Sequence, residues 1–189
     1  MMKLRWITRA IAVAACAVGV VVTTAPDGVL ASPARSVPAT PRACTLLTTA
    51  VLTSTFGDSF AAGKARRAAH TDSCTWAILP AKPLTEVALI LTSFPSRRGA
   101  AARLTKVVAT KRSDGGRPKA LSGIGDAAFF TAPYASKGGG INVSALDARI
   151  GHVVVKLYYS PQHDPGTDDV ATLRAHLEAL VRRVVRSMQ

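Results

Sequence analysis

The chain has 189 residues, a length that suits a single domain. It carries 24 Lys and Arg against 11 Asp and Glu, a net charge of +13, and 48% of its residues are apolar. That balance excludes a disordered tail and a collagen-like repeat, because enough apolar surface exists to offset chain entropy. Three Cys and four His scattered along the chain exclude a conventional zinc module.

Residues 1–31 read as an address. Lys3, Arg5 and Arg9 precede an apolar run over 10–22, followed by Thr23, Thr24 and a break at Pro26 and Gly28. Basic, then apolar, then small is the order of a secretory signal peptide, with Val29-Leu30-Ala31 as the peptidase site and cleavage after Ala31. Two alternatives stand beside it. A retained anchor ranks lower, since the run of about 13 residues is short of the roughly 20 that cross a bilayer as a helix. Lipoprotein processing is the other: Val13-Ala14-Ala15-Cys16 matches its local pattern and would anchor the chain through Cys16, although the apolar run continues to Val22. The following stretch, 32–43, holds Pro33, Pro38 and Pro41 among Ser, Thr and Ala and reads as an extended linker. One folded domain is then expected over 44–189.

Within that domain, 44–57 reads as a short helix, with Thr48 as N-cap, Gly57 in the left-handed C-terminal turn, and Leu47, Val51 and Phe56 facing inward. A polar, basic loop with Lys64, Arg66, Arg67 and His70 follows, and then strands at 74–79 and 86–94. Ala101, Leu104, Val107 and Val108 recur at helical spacing over 99–110, with Arg103 and Lys106 pointing away. Gly115, Gly116 and Pro118 end that segment. Three strands are expected at 126–132, 141–146 and 152–159, joined by turns at 137–140 and 147–151. The closing helix is the clearest element: Val170, Leu173, Leu177, Leu180, Val181, Val184 and Met188 form one apolar stripe, with Thr167 or Asp168 as its cap.

This order predicts an α+β fold in two layers, a mostly antiparallel sheet of about five strands with helices packed on one face. Alternation assigns Val87, Leu89, Leu91, Ile141, Val143, Val153, Val155 and Leu157 to the covered face. Glu86, Thr92, Asn142, Ser144, His152, Lys156 and Tyr158 then occupy the open one, with His152, Lys156 and Tyr158 as a candidate ligand face. A one-residue slip in register would exchange the two faces.

If the leader is removed, Cys44 and Cys74 remain as an even pair, for which a structural disulfide is the economical reading. Their spacing is not C-x-x-C, which disfavours a redox pair. Cys74 and Trp76 share a strand face, so the indole is expected to cover the sulfur bridge.

Cys44-Thr45-Leu46-Leu47-Thr48, Cys74-Thr75-Trp76 and Leu121-Ser122-Gly123-Ile124-Gly125-Asp126-Ala127-Ala128-Phe129, followed by a hairpin and an amphipathic helix, carry a resemblance. In this order the motifs resemble a large family of exported proteins and lipoproteins of high-GC Gram-positive bacteria whose function is unassigned. The resemblance covers nearly the whole domain and implies an envelope-located α+β fold with Cys44 bonded to Cys74. It brings no catalytic residues with it.

The motifs that bear on chemistry are few. Gly123-Ile124-Gly125-Asp126 lacks the strand, turn and helix context of a phosphate loop and reads as a tight turn into a strand. His163-Asp164-Pro165-Gly166-Thr167-Asp168-Asp169 lacks the spacing of a calcium loop and reads as a turn into a capped helix. No catalytic, metal or cofactor constellation is recognised, and a hydrolase ranks third among the functions.

Charge is the remaining signal. Residues 97–119 hold eight cations against Asp114 alone, and Arg97, Arg98, Arg103, Lys106, Lys111 and Arg112 are the candidate anion-binding set. Such a face attracts polyanions, with a strength that falls as salt rises. The expected partner is an anionic envelope component: a wall polymer, a lipid head group contacted peripherally, or a protein. Nucleic acid is disfavoured by location and by the lack of interleaved aromatics. The alternative is a small-ligand or sensor module using the open sheet face.

Overall fold

The computed structural model describes residues 36–80, 86–135, 137, 141–160 and 167–189. The expected signal peptide, Cys16 and His163 lie outside the described residues. Residues 36–42 have no regular structure, and Ala43, assigned to the linker from sequence, opens the first helix.

The first expected helix is two: α1 (Ala43–Leu46) and α2 (Thr49–Phe56). Thr48 divides them. Its extended backbone lets the hydroxyl accept from Val51 N–H at 3.4 Å, so a residue read as an N-cap does cap α2 and thereby stops α1. Gly57, at φ 77°, closes α2 in the left-handed conformation as expected.

Four strands follow: β1 (Ser59–Phe60), β2 (Lys64–Ala68), β3 (Thr71–Leu79) and β4 (Glu86–Ser93). The second replaces the expected basic loop. All five of its residues are exposed; it buries no side chain and so leaves no apolar period in the sequence, and its ladder with β3 orders it. Next comes α3 (Arg97–Ser113), whose Ser96 hydroxyl accepts from Gly99 N–H at 3.0 Å.

The chain continues through β5 (Lys119–Leu121), β6 (Ala127–Thr131), β7 (Tyr134–Ala135), β8 (Ile141–Asn142), β9 (Ser144–Ile150) and β10 (Val153–Ser160) to α4 (Thr167–Ser187). Gly123 and Gly125, at φ 67° and 54°, make the turn into β6. The expected turn at 147–151 is mostly strand. Asp147 sits inside β9, and the reversal is confined to Gly151 (φ 57°) and His152, between the paired residues Ile150 and Val153. A charged residue in a strand reads as a turn unless the cation that compensates it is known.

The fold is α+β with a mostly antiparallel open sheet. Among the described residues the main sheet has eight strands rather than about five, in the order β1-β3-β4-β10-β9-β6-β5 with β2 also on β3; β7 and β8 form a separate pair. The extra strands are short or fully exposed, and neither kind carries a readable period. The helices are not confined to one face. Residues directly opposite in a ladder share a face, so the rows fix the sides. Leu89, Leu157 and Leu146 form one row, and they join the core with Ala43, Leu47, Leu52 and the α4 stripe. The opposite face carries the row Ile90, Lys156 and Asp147, and there Lys111 of α3 pairs with Asp147. Thus α1, α2 and α4 cover one side, and α3 covers part of the other through Ala100, Leu104 and Val108.

On the α4 side the sulfurs of Cys44 and Cys74 are bonded, with Cα atoms 5.1 Å apart. The bridge fixes α1 to β3, and Trp76 is buried beside Cys74. Asp72 reinforces the same junction: one carboxylate oxygen accepts from Ala43 N–H at 2.7 Å and the other from Arg67 Nε at 2.5 Å.

Candidate functional site

Because Ala100, Leu104 and Val108 face the sheet, the cations of α3 are driven outward. Arg97, Arg98, Arg103, Lys106 and Arg112 are exposed, and none forms an ion pair among the described residues. Lys111 departs from the expected set. Its ammonium is turned inward, 2.5 Å from Asp147 Oδ2 and 3.3 Å from Thr131 Oγ1, so its charge is spent on holding α3 to the sheet.

Of the expected open face, Glu86, Thr92, Lys156 and Tyr158 do share one side, the side partly covered by α3. Ser144 does not: it pairs with Tyr159, lies on the α4 side, and is fully buried. His152 sits in the β9–β10 turn, four residues of strand from Lys156, or about 13 Å. There it lines a separate hollow of about 420 Å³ with Arg97, Asp126 and Met188. The three residues of the candidate ligand face are therefore not one site. Val143 is half-buried between β8 and β9, and the side chains of Ile141 and Asn142 lie outside the described residues.

Lys156 and Tyr158 form a local unit. The Tyr158 hydroxyl donates to Glu86 Oε1 at 2.7 Å, and the Lys156 ammonium lies 5.5 Å from the Tyr158 ring centroid. Burial pulls the Lys156 ammonium below its ordinary pKa; Asp147 opposes that shift, while Lys111 and Arg103 add to it. Burial, and then the bond to Glu86, push the Tyr158 phenol up to about 12. Tyr158 is thus a fixed neutral donor, and Lys156 is a desolvated cation under the edge of α3.

Sequence reasoning missed two residues of this surface. Arg66 stands opposite Ser73, Ser73 opposite Ile90, and Ile90 opposite Lys156, a single row across four strands. Lys64, Thr75, Ala88 and Tyr158 form the next row. Three strand spacings put Arg66 and Lys156 about 14 Å apart. Between α3 and the β2 edge this sheet face carries the side chains of Thr71, Ser73, Thr75 and Thr92. Lys64 and Arg66 stand on one side, and Arg103 stands on the other, near enough to Lys156 to depress its pKa. The i, i+2 spacing of Lys64 and Arg66 is the only trace of this in the sequence.

The Gly123-Ile124-Gly125-Asp126 turn is structural. Asp126 Oδ2 accepts from Gly151 N–H at 2.8 Å and from Arg149 Nη1 at 2.8 Å, tying it to the next hairpin. Among the described residues, no His side chain hydrogen-bonds to Ser or Asp; His176 stacks edge-on against Phe56. Among those residues, no helix is long and apolar enough to cross a membrane. A comparison with protein families, characterised proteins and solved structures finds no match to this chain.

Proposed function

We infer that this is an exported, non-catalytic domain of the cell envelope that binds an extended anionic wall polymer across α3 and the adjoining open half of the sheet. The observation that carries the reading is the row joining Arg66 to Lys156, which puts Arg66 on the same face of the sheet as α3 and its exposed cations. The α3 helix, 17 residues long, spans about 25 Å, long enough to meet several repeats of a polyphosphate. The hydroxyls of Thr71, Ser73, Thr75 and Thr92 on this face suit phosphate oxygens. Export is supported by the basic and apolar order of residues 1–31 and by a disulfide of the kind that persists in oxidising compartments. The order of motifs around Cys44, Trp76 and Asp126 supports membership of the exported Gram-positive family they resemble.

Binding to poly(glycerol phosphate) across a salt series tests the reading. Each exposed cation contributes about 1 kcal/mol at low salt by analogy with polybasic segments on anionic surfaces, so replacing Arg66, Arg98, Arg103 and Lys106 by Ser weakens binding by two orders of magnitude or more. Binding that is flat from low to high salt, or unchanged in the quadruple variant, refutes it. Retention on anionic vesicles but not on the polymer reassigns this cationic face to lipid head groups.

A further inference from the structure

The cationic stretch that runs on from α3 does not all lie on the α3 face of the sheet. Lys119 stands opposite Phe130 in the β5–β6 ladder, and Phe130 stands opposite Leu146, a core residue of the α4 side. The chain has crossed the sheet edge, and Lys119 faces α4 rather than α3. A groove of about 460 Å³ opens there between β5, β6 and the first half of α4, well within the size range of small-molecule sites.

Two features of the sequence create it. The β5 strand is only three residues long, so the sheet edge stops short beside α4. Along α4, Ala171 and Ala175 occupy successive turns where longer side chains would fill the gap. Phe130, Ala132 and Val170 supply an apolar wall. Its rim is cationic. Arg117 and Lys119 form no ion pair among the described residues. Arg174 gives its Nε–H to Glu178 Oε1 at 2.7 Å and keeps its terminal amino groups. The charge of Glu178 is shared with Arg182, 3.6 Å away, so the one carboxylate among the described residues that line the groove is already engaged.

We propose that this groove binds a single-chain acidic amphiphile, a fatty carboxylate whose head group meets Arg117, Lys119 and Arg174 and whose tail lies along Phe130, Ala132 and Val170. An inorganic anion would leave the apolar wall unused, and an uncharged hydrocarbon would leave three cations facing it. A carboxylate on an alkyl chain complements both, and a guanidinium binds carboxylate with paired, charge-assisted hydrogen bonds. This site lies on the other side of the sheet from α3, and it stands or falls independently of polymer binding.

The test is calorimetric titration of the intact, disulfide-bonded protein with sodium decanoate below its micellar concentration, alongside decanol and sodium acetate. Decanoate binds saturably at one site, and decanol and acetate each bind at least tenfold more weakly. The Arg117→Ser, Lys119→Ser double variant lowers decanoate affinity about tenfold or more, equivalent to about 1.4 kcal/mol. Ala175→Trp, at an exposed position that fills the groove, abolishes binding, and Ala171→Trp serves as a second filling variant should the first not fold. Arg98→Ser, Arg103→Ser and Lys106→Ser together leave it unchanged. Decanol or acetate binding as tightly as decanoate overturns the proposal. So does undiminished decanoate binding in a folded groove-filling variant, or loss of binding in the α3 triple variant.

Discussion

Asp147 offers the sharpest perturbation, because sequence patterns put it in a solvated turn and the fold puts it inside β9 beneath α3. Its side chain is 3% exposed and that of Lys111 14%, so both charges of the pair have left water. Removing one partner of such a pair costs about 3–5 kcal/mol, mostly because the other charge remains buried alone. Asp147→Ala belongs at the upper end: it strands Lys111 and also removes the carboxylate that favours the charged form of Lys156. Lys111→Met costs less, about 2 kcal/mol, since Lys156 still faces Asp147. The double variant Lys111→Met, Asp147→Leu recovers most of the Asp147→Ala loss, because an apolar pair of similar volume replaces a buried ion pair at little net cost, and it keeps only what Lys156 loses with Asp147. Urea unfolding followed by Trp76 fluorescence gives all three values. For a domain of this size a loss of 3–5 kcal/mol lowers Tm by roughly 6–20 °C. A cost below about 1 kcal/mol for Asp147→Ala, with the two single effects simply adding, would refute the claim that this contact seats α3 on the sheet.

Three further outcomes follow from the same geometry. Replacing Cys44 and Cys74 together by Ser opens a loop with a sequence separation of 30 and lowers stability by about 3–4 kcal/mol in the chain-entropy account, read from the urea midpoint; an unchanged midpoint contradicts it. Gly63→Ala places a Cβ 2.5 Å from Trp76 Nε1 and 2.6 Å from Cys74 Sγ, so it costs about 1–3 kcal/mol and changes the Trp76 emission, whereas a silent substitution would show that the loop does not press on the bridge. Lys156→Met raises stability at pH 7, because the parent carries an ammonium disfavoured by burial. Between the lowered pKa and 10.5 the unfolded parent binds more protons than the folded one, so its stability climbs with pH and the gap to the Met variant closes towards pH 10.5. Tyr158 titrates only towards about 12 in the folded state and reduces stability above pH 10 in both proteins, which cancels in the difference. A gap that stays constant over that range removes the burial argument.

Local signals carried far along this chain. The Thr48 and Gly57 caps, the α4 stripe, and the alternation of Val87, Leu89, Leu91 with Val153, Val155, Leu157 were legible because each depends only on residues a few positions apart. The pairing of Cys44 with Cys74 was legible by count. The expectation of about five strands failed at β1 and β5, which are two or three residues long and too short to show a period, and at β2, which buries no side chain, while the strand expected over 141–146 is divided into β8 and β9. The expectation of one covered face failed because α3 is basic on most of its surface and its inward side consists of few, mostly small residues.

By itself the sequence determined the class of fold, the helical and strand faces with strong periods, the excess of positive charge and the two thiols that join. Only the tertiary structure decided which cations lie on which face: Lys111 withdrawn to Asp147, Arg66 aligned with Lys156, and Lys119 carried round the sheet edge to α4. The reason is that partnership across a sheet is set by register between strands far apart in sequence, and a single-residue slip would send the side chains of Asp147, Arg66, Lys156 or Lys119 to the opposite face.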